Sequence, residues 1–228
     1  MRSVLRTLST VLIISGVLLL VDAGLTVAWQ EPVSAIYARV TQDRLGGDLK
    51  ELEAVQPTPL EKRVLKKLPQ DSPKRYAFLA RSLKRKRTEG EAAGRIRIPQ
   101  IGLEYVVVDG TDPNSLRKGP GFFPEAPWPG AKGTVAIAGH RTTYAAPFRT
   151  IDQLGRGNRI IVDMPYGRFT YEVEGKRIVK PDALWVIERK SYDRLVLSAC
   201  HPLYSAAKRI IVFSKLVKSE PRGPALDT

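Results

Sequence analysis

The chain of 228 residues carries a formal net charge of +14 and contains one cysteine and two histidines. One cysteine excludes an intramolecular disulfide framework, and a histidine-based site has only His140 and His201 to draw on. The charge favours an anionic partner. Its densest stretch, residues 62–87, holds eleven Lys and Arg against Asp71 alone.

An apolar run near the N-terminus predicts a membrane span. Residues 8–29 contain Asp22 as their only charge, and about 20 apolar residues suffice to cross a bilayer as a helix. We therefore interpret residues 1–29 as a single-pass membrane anchor that leaves the rest of the chain outside the cytoplasm. The alternative is a cleavable signal peptide, because Val21-Asp22-Ala23 weakly resembles a cleavage site. Both interpretations predict export.

Residues 30–93 are interpreted as a basic stalk. Apolar residues at helical spacing predict a helix over 32–53, and the basic stretch repeats that spacing at Tyr76, Leu79, Ala80 and Leu83. One interpretation of residues 62–87 is an amphipathic basic helix that binds anionic lipid or wall polymer. The other is a solvated linker helix. Nucleic acid is not expected as a partner, because the chain contains no motif that reads it.

From residue 94 the hydrophobic period changes from 3.6 to 2, which predicts a β domain over 94–218. Short strands rich in Val and Ile, separated by Gly and Pro turns, are typical of an all-β barrel or sandwich. The predicted strands cover residues 95–98, 103–108, 134–138, 159–164, 168–174, 176–180, 183–187, 194–199 and 209–217. Short helices are expected at 114–118 and 147–154. Residues 219–228 are expected to form a disordered tail.

The two rare residue types follow predicted strands. His140 comes after strand 134–138, Cys200 ends strand 194–199, and Arg209 opens the next strand. A barrel can bring these three strand ends to one rim. Thiol chemistry needs a nucleophile, a proton carrier and a group that stabilises the oxyanion, and these three residues can supply those roles. Their structural alternatives are a buried core cysteine, a structural histidine and a surface arginine.

His201 is the histidine nearer to the cysteine in sequence. Adjacent residues of an extended chain point to opposite faces, so His201 is a poor candidate for the base that activates Cys200. The residues alone therefore favour a cysteine transferase or hydrolase without excluding a protein that has no catalytic activity.

Three motifs, in this order, resemble those of the sortases. They are Ala138-Gly139-His140-Arg141-Thr142-Thr143-Tyr144, then Leu197-Ser198-Ala199-Cys200-His201-Pro202, and Arg209 nine residues beyond the cysteine. The GHRTT and CHP elements are most similar to class E, the housekeeping-type sortases of high-GC Gram-positive bacteria. The resemblance covers residues 94–217, together with the layout of anchor and stalk.

The resemblance implies an eight-stranded sortase-type barrel and a membrane-anchored cysteine transpeptidase. Its substrate would be a C-terminal sorting signal of the LPxTG or LAxTG type, cut between Thr and Gly. Its acceptor would be an amine of a peptidoglycan precursor or pilin. By resemblance, Cys200 forms a thioacyl intermediate, His140 transfers the proton and Arg209 stabilises the oxyanion. Neither a cofactor nor a metal is expected, because the acidic loops of calcium-binding sortases have no match here.

The chain departs from the family pattern TLxTC before the cysteine, where Val196 and Ala199 replace both threonines. We expect Val196 to face the barrel, and the lost hydroxyl at Ala199 to alter the substrate motif rather than the reaction. The residues expected to contact the sorting peptide are Ser198, Ala199, Tyr144 and His201. Two alternative functions remain, a thiol peptidase that releases product to water and a tethered module that binds wall polymer through residues 62–87.

Overall fold

Four helices open the computed structural model, which describes residues 2–29 and 32–227. They are α1 (Arg2–Trp29), α2 (Pro32–Ala54), α3 (Pro59–Leu65) and α4 (Pro73–Arg85). Within α1, the stretch Ser3–Gly24 has a mean hydropathy of 2.3 and is long enough to cross a membrane. The predicted apolar N-terminal helix is confirmed, and α2 matches the helix predicted over 32–53.

Hydrogen bonds at their first turns fix where α3 and α4 begin. The Glu61 amide donates to Thr58 Oγ1 at 3.3 Å, and the Thr58 amide donates to Glu61 Oε2 at 2.8 Å. This reciprocal capping box satisfies two amides that the helix itself leaves unpaired. Ser72 caps α4 in the same way, by accepting from the Arg75 amide at 3.2 Å. A proline stands at the first turn of each helix, where its missing N–H costs nothing.

The rest of the chain forms a closed barrel of eight strands in the order β1-β2-β3-β4-β7-β8-β6-β5. Their bounds are β1 (Ala92–Ile98), β2 (Leu103–Asp109), β3 (Gly121–Phe122), β4 (Thr134–Ala138), β5 (Arg159–Met164), β6 (Gly167–Val179), β7 (Arg194–His201) and β8 (Lys208–Pro221). The pairs β2–β3 and β4–β7 are parallel, and the others are antiparallel. The predicted all-β class and eight-stranded barrel are confirmed.

Three predicted elements differ from the observed ones. Residues 183–187 are not a strand, because Leu184–Ile187 forms a 3-10 helix that packs its Val186 against the outer wall of the barrel. The two strands predicted over 168–180 are one strand, β6, whose register shifts between Val173 and Gly175. Of the helix predicted over 147–154, the structure contains only the 3-10 turn Ile151–Gln153.

The stalk helices pack directly on the barrel. The side-chain amide of Gln42, in α2, accepts from the Val106 amide at 2.7 Å and donates to the carbonyls of Val106 and Lys118 at 3.1 and 2.8 Å. It thereby pairs with the backbone of β2 as a neighbouring strand would. On α4, the ring of Tyr76 meets Phe169 edge-on, with the ring centroids 5.4 Å apart.

The disordered tail predicted at 219–228 is wrong for the described residues. Strand β8 runs on to Pro221, because Ser219 and Glu220 continue its ladder with β6. Beyond it, Ala225 is buried and Gln70 Nε2 donates to the Leu226 carbonyl at 2.9 Å. The tail therefore closes over the stalk helices. Thr228 lies outside the described residues.

Candidate active site

Cys200 and Arg209 lie opposite each other in the antiparallel pair β7–β8. Side chains of directly opposed residues stand on the same face of a sheet with their Cβ atoms ~5 Å apart. The nine-residue spacing seen in the sequence is therefore the length of one connection between two strands. It places the thiol and the guanidinium side by side.

His140 reaches the same place through the parallel pair β4–β7. Ala138 lies beside Ser198 in that ladder, and the Gly139 amide donates to the Ser198 carbonyl at 3.0 Å. His140 and Cys200 each follow this pair by two residues, Cys200 within β7 and His140 in the loop directly after β4. The register thus brings the imidazole towards the thiol although the two residues are far apart in the sequence.

An open cavity of about 320 Å³ is lined by all three predicted catalytic residues, His140, Cys200 and Arg209. Each of them is half-buried. Much of the surrounding wall is apolar, and its larger members are Leu116, Phe123, Val179, Leu184, Ile187 and Ile211. The cavity therefore combines a thiol, an imidazole and a guanidinium with a largely apolar wall.

The guanidinium of Arg209 is only partly engaged by the protein. Its Nη1 donates to the carbonyls of Ala206 and Lys208 at 2.9 and 3.0 Å. Within the part of the chain that the structure describes, its Nε and Nη2 make no further hydrogen bond. Because a guanidinium carries five N–H donors, Arg209 retains donors for a carbonyl oxygen in the cavity.

The electrostatic surroundings of His140 favour the neutral imidazole. Burial lowers the pKa of His140, and the positive charge of Arg117 lowers that pKa further. Arg117 lies in the helix α5 (Pro113–Lys118), with Cζ 5.8 Å from the ring centroid of Tyr144. The Tyr144 ring lies 5.2 Å from that of His140. Sequence reasoning missed Arg117, because its short helix carries no motif of its own.

The loop after His140 is shaped by close packing. A side chain at position 139 would place its Cβ 2.6 Å from the Phe148 ring, so only glycine fits there. The Phe148 amide in turn donates to the His140 carbonyl at 2.9 Å. Tyr144, Ala145 and Ala146 all have left-handed φ angles, of 51°, 59° and 41°, which non-glycine residues rarely adopt. These three residues form a tight turn in the loop after His140.

The residues predicted to contact the sorting peptide divide into two sets. Ser198 and Ala199 line the cavity, whereas Tyr144 and His201 are not among the described residues that do. Ala199 is 3% exposed and its side chain belongs to the main core of the barrel. Val196 does not face that core. It packs with Val186 in a second cluster on the outer wall.

Comparison with known proteins identifies the family. A family model described as the sortase domain matches residues 96–217. The chain belongs to the sortase family. Sortase D of Bacillus subtilis (strain 168) is 34% identical to it over 132 residues, which cover 56% of this chain and 65% of the relative. This sortase-family chain thus spans just under two thirds of that relative's length.

Solved structures show the same fold. A sortase D5 transpeptidase of Clostridium perfringens superposes with a TM-score of 0.61 at 22% identity, covering 78% of this chain and 99% of that one. Sortase E1 of Streptomyces coelicolor, solved with a tripeptide in its active site, gives a TM-score of 0.55 at 25% identity and covers 60% and 97%. Because class D and class E names both occur among these proteins, the matches establish the sortase family as a whole.

Proposed function

We propose that this protein is a cysteine transpeptidase that cuts a C-terminal sorting signal of the LPxTG or LAxTG type between Thr and Gly. The observation that supports it most is the joint lining of one cavity by Cys200, His140 and Arg209 in a chain of the sortase family. The acceptor is an amine of a peptidoglycan precursor or of a pilin subunit.

In the first half-reaction the Cys200 thiol gives its proton to neutral His140, and the resulting thiolate attacks the carbonyl carbon of the threonine. A C–S bond forms, and the free donors of Arg209 stabilise the oxyanion that develops. The C–N bond to glycine then breaks, and the His140 imidazolium gives its proton to the departing amine. The products of this step are a thioacyl enzyme and a peptide that begins with glycine.

In the second half-reaction the acceptor amine attacks the thioacyl carbon. Neutral His140 takes the proton that this amine loses, the C–S bond breaks, and Cys200 leaves as a thiolate. The depressed pKa of His140 suits this step, because the imidazole must be neutral to accept the proton. If water attacks the thioacyl carbon in place of the amine, the same site hydrolyses the peptide. The transpeptidase and the peptidase therefore differ only in how the thioacyl enzyme divides between the amine and water.

We further propose that α1 anchors the chain in the cytoplasmic membrane and that the barrel works on its outer face. The apolar stretch Ser3–Gly24 supports a single span, and a substrate destined for the cell wall is available only outside the membrane. Cleavage of a signal peptide would release the barrel from the membrane and lower its mass. An anchored protein should therefore be found at full mass in isolated membranes, whereas a cleaved one should not.

Exposed cations of the basic stretch favour a second, auxiliary role in holding the barrel near an anionic lipid or wall polymer. Several charges of residues 62–87 are engaged within the protein, including the ion pairs of Lys86 with Glu61 and of Arg87 with Glu91. Six others are exposed and form no ion pair within the described residues: Arg63, Lys66, Lys67, Lys74, Arg81 and Arg85. Binding through them should weaken steeply with added salt.

The transpeptidase proposal is tested with the full chain in detergent micelles, a labelled LPxTG or LAxTG peptide and a triglycine acceptor. Mass spectrometry should find the peptide joined to the acceptor, and Cys200→Ala should lower turnover at least ~10³-fold. Product that forms only with water would favour the peptidase. Turnover that survives in Cys200→Ala would refute a thiol mechanism. Lys190→Ala, an exposed change away from the cavity, serves as the control.

A further inference from the structure

The residues that directly follow His140 and Cys200 contact each other. Arg141 Nη1 lies 3.1 Å from His201 Nδ1. Neither Arg141 nor His201 is among the described residues that line the cavity, so this contact lies behind the catalytic pair. The segments that carry His140 and Cys200 are thus joined by a side-chain contact that lies outside the cavity lining.

Arg141 is held firmly in that position. Its side chain is only 3% exposed, and Nη2 forms an ion pair with Asp152 Oδ1 at 2.8 Å. Its Nε donates to the Arg149 carbonyl at 3.3 Å. Both of these partners belong to the loop that follows His140. Arg141 therefore ties its own loop together with two contacts and reaches β7 with the third.

The chemistry of the pair defines the state of His201. A guanidinium has donors only, so His201 Nδ1 accepts the hydrogen bond and the proton of the neutral ring sits on Nε2. This is a directional contact between a buried cation and one ring atom, and a different acceptor at the same point could replace it. An apolar side chain could not.

We propose that Arg141 and His201 are positioning residues that set the distance between His140 and Cys200. The inference rests on the proposed function. The last ladder contact before the site is the bond from the Gly139 amide to the Ser198 carbonyl. Beyond it the His140 segment leaves the sheet, so a side-chain contact has to hold it against β7. Misplacement of reacting groups by about 1 Å costs on the order of 10²-fold in rate.

The test compares three substitutions at His201 in the full chain. The side-chain oxygen of Asn occupies nearly the place of Nδ1, that of Gln nearly the place of Nε2, and Leu offers no acceptor. We expect His201→Leu to lower kcat about 10-fold to 100-fold with KM for the peptide changed less than about 3-fold. His201→Asn should recover most of that loss, and His201→Gln should recover much less.

A double-mutant cycle with Arg141→Gln separates positioning from simple stabilisation. If the two residues act together, the double variant His201→Leu with Arg141→Gln should lose no more kcat than the worse single variant. Tyr204→Phe is the matched control, because it removes another side-chain hydrogen bond between these segments, from Arg149 Nη2 to the Tyr204 hydroxyl at 3.2 Å. It should leave kcat within about 2-fold of the wild type.

The outcomes separate this inference from the proposed function. If the wild type transfers no peptide, the transpeptidase proposal fails. If the wild type is active and His201→Leu keeps full kcat, or Asn and Leu lose activity equally, only the positioning role is overturned. A purely structural role would lower the unfolding temperature of His201→Leu without lowering the kcat of its folded fraction, and this result also overturns the proposal.

Discussion

An arginine in the stalk and an arginine at the cavity use the same kind of side chain for different purposes. In the stalk, Arg75 is 2% exposed and its guanidinium donates to three backbone carbonyls, two from the stalk and one from the tail. At the cavity, Arg209 is half-buried and donates to two carbonyls through Nη1 alone. The first arginine joins parts of the chain, and the second keeps donors for a ligand.

This difference teaches that the number of charges in a stretch does not locate a function. Residues 62–87 have the highest charge density in the chain, yet Arg75 and Lys84 within that stretch hold backbone carbonyls together. The arginine assigned to catalysis stands in an ordinary strand. Arg209 differs from the stalk arginine because it lies beside a thiol and has N–H donors that form no hydrogen bond within the described residues.

The largest effect is expected from removing the free donors at the cavity. Arg209→Gln should lower kcat by about 10²-fold to 10³-fold, because loss of one oxyanion donor typically costs that much. Its unfolding temperature should change little, since the lost bonds are exposed. Steady-state kinetics and thermal unfolding measure the two effects. Lys208→Gln, on the exposed neighbour, is the control, and full activity in Arg209→Gln would remove Arg209 from the mechanism.

A change at the stalk arginine should have the opposite profile. Arg75→Met removes the guanidinium hydrogen bonds to the carbonyls of Leu65, Leu68 and Ala225, and should lower the free energy of unfolding by about 2–4 kcal/mol. The kcat of the folded protein should stay the same, because the stalk does not touch the cavity. Chemical denaturation measures the first quantity.

The exposed neighbour of Arg75 provides the matched control for that experiment. Lys74→Met removes one charge from the same turn of α4 and should change stability by less than about 0.5 kcal/mol. Equal effects of the two substitutions would mean that the stalk arginine is a surface charge, and the contrast with Arg209 would disappear.

The smallest effect concerns the charge beside His140. Arg117→Gln removes a cation that lowers the pKa of His140, so that pKa should rise towards the usual value near 6.5. An NMR titration of the His140 ring measures this pKa, and His201→Asn removes the signal of the other histidine. Arg117→Lys keeps the positive charge, so the pKa of His140 should stay at its wild-type value. A lower pKa in Arg117→Gln would contradict this account.

The lowered pKa of His140 also makes the stability of the fold depend on pH. The pKa of His140 is lower in the folded chain than in the unfolded one, so the unfolded chain binds more protons between these two values. Stability therefore falls as the pH drops from about 6.5 through the folded-state pKa. Arg117→Gln should make this loss smaller, which unfolding temperatures measured at pH 7 and pH 5 can test.

The strands that the sequence predicts best are short runs rich in Val and Ile that end at turn residues, such as 103–108, which lies between Gly102 and Gly110, and 159–164, which ends at Pro165. Gly121–Phe122 was missed because a two-residue strand shows no period. Residues 183–187 were misassigned because an apolar run that covers a barrel wall looks like a strand within it. The tail was misjudged because its order depends on partners in the stalk, which composition does not reveal.

The predicted catalytic residues could be chosen from the sequence because thiol and imidazole are scarce in it. Their meeting could not be derived, since it depends on the parallel register of β4 and β7. Arg117 and the contact between Arg141 and His201 arise from loop geometry alone. Alternation along the strand indicated that His201 and Cys200 point to opposite faces, but not that His201 meets Arg141.

The parallel pairing of β4 and β7 also sets when the chain can become active. Two strands, β5 and β6, separate this pair in the sequence, and pairings between distant parallel segments form slowly. A newly made chain therefore carries its thiol for some time without an imidazole beside it. In the proposed mechanism acylation has to wait until the barrel closes, so the completion of folding determines when the proposed activity begins.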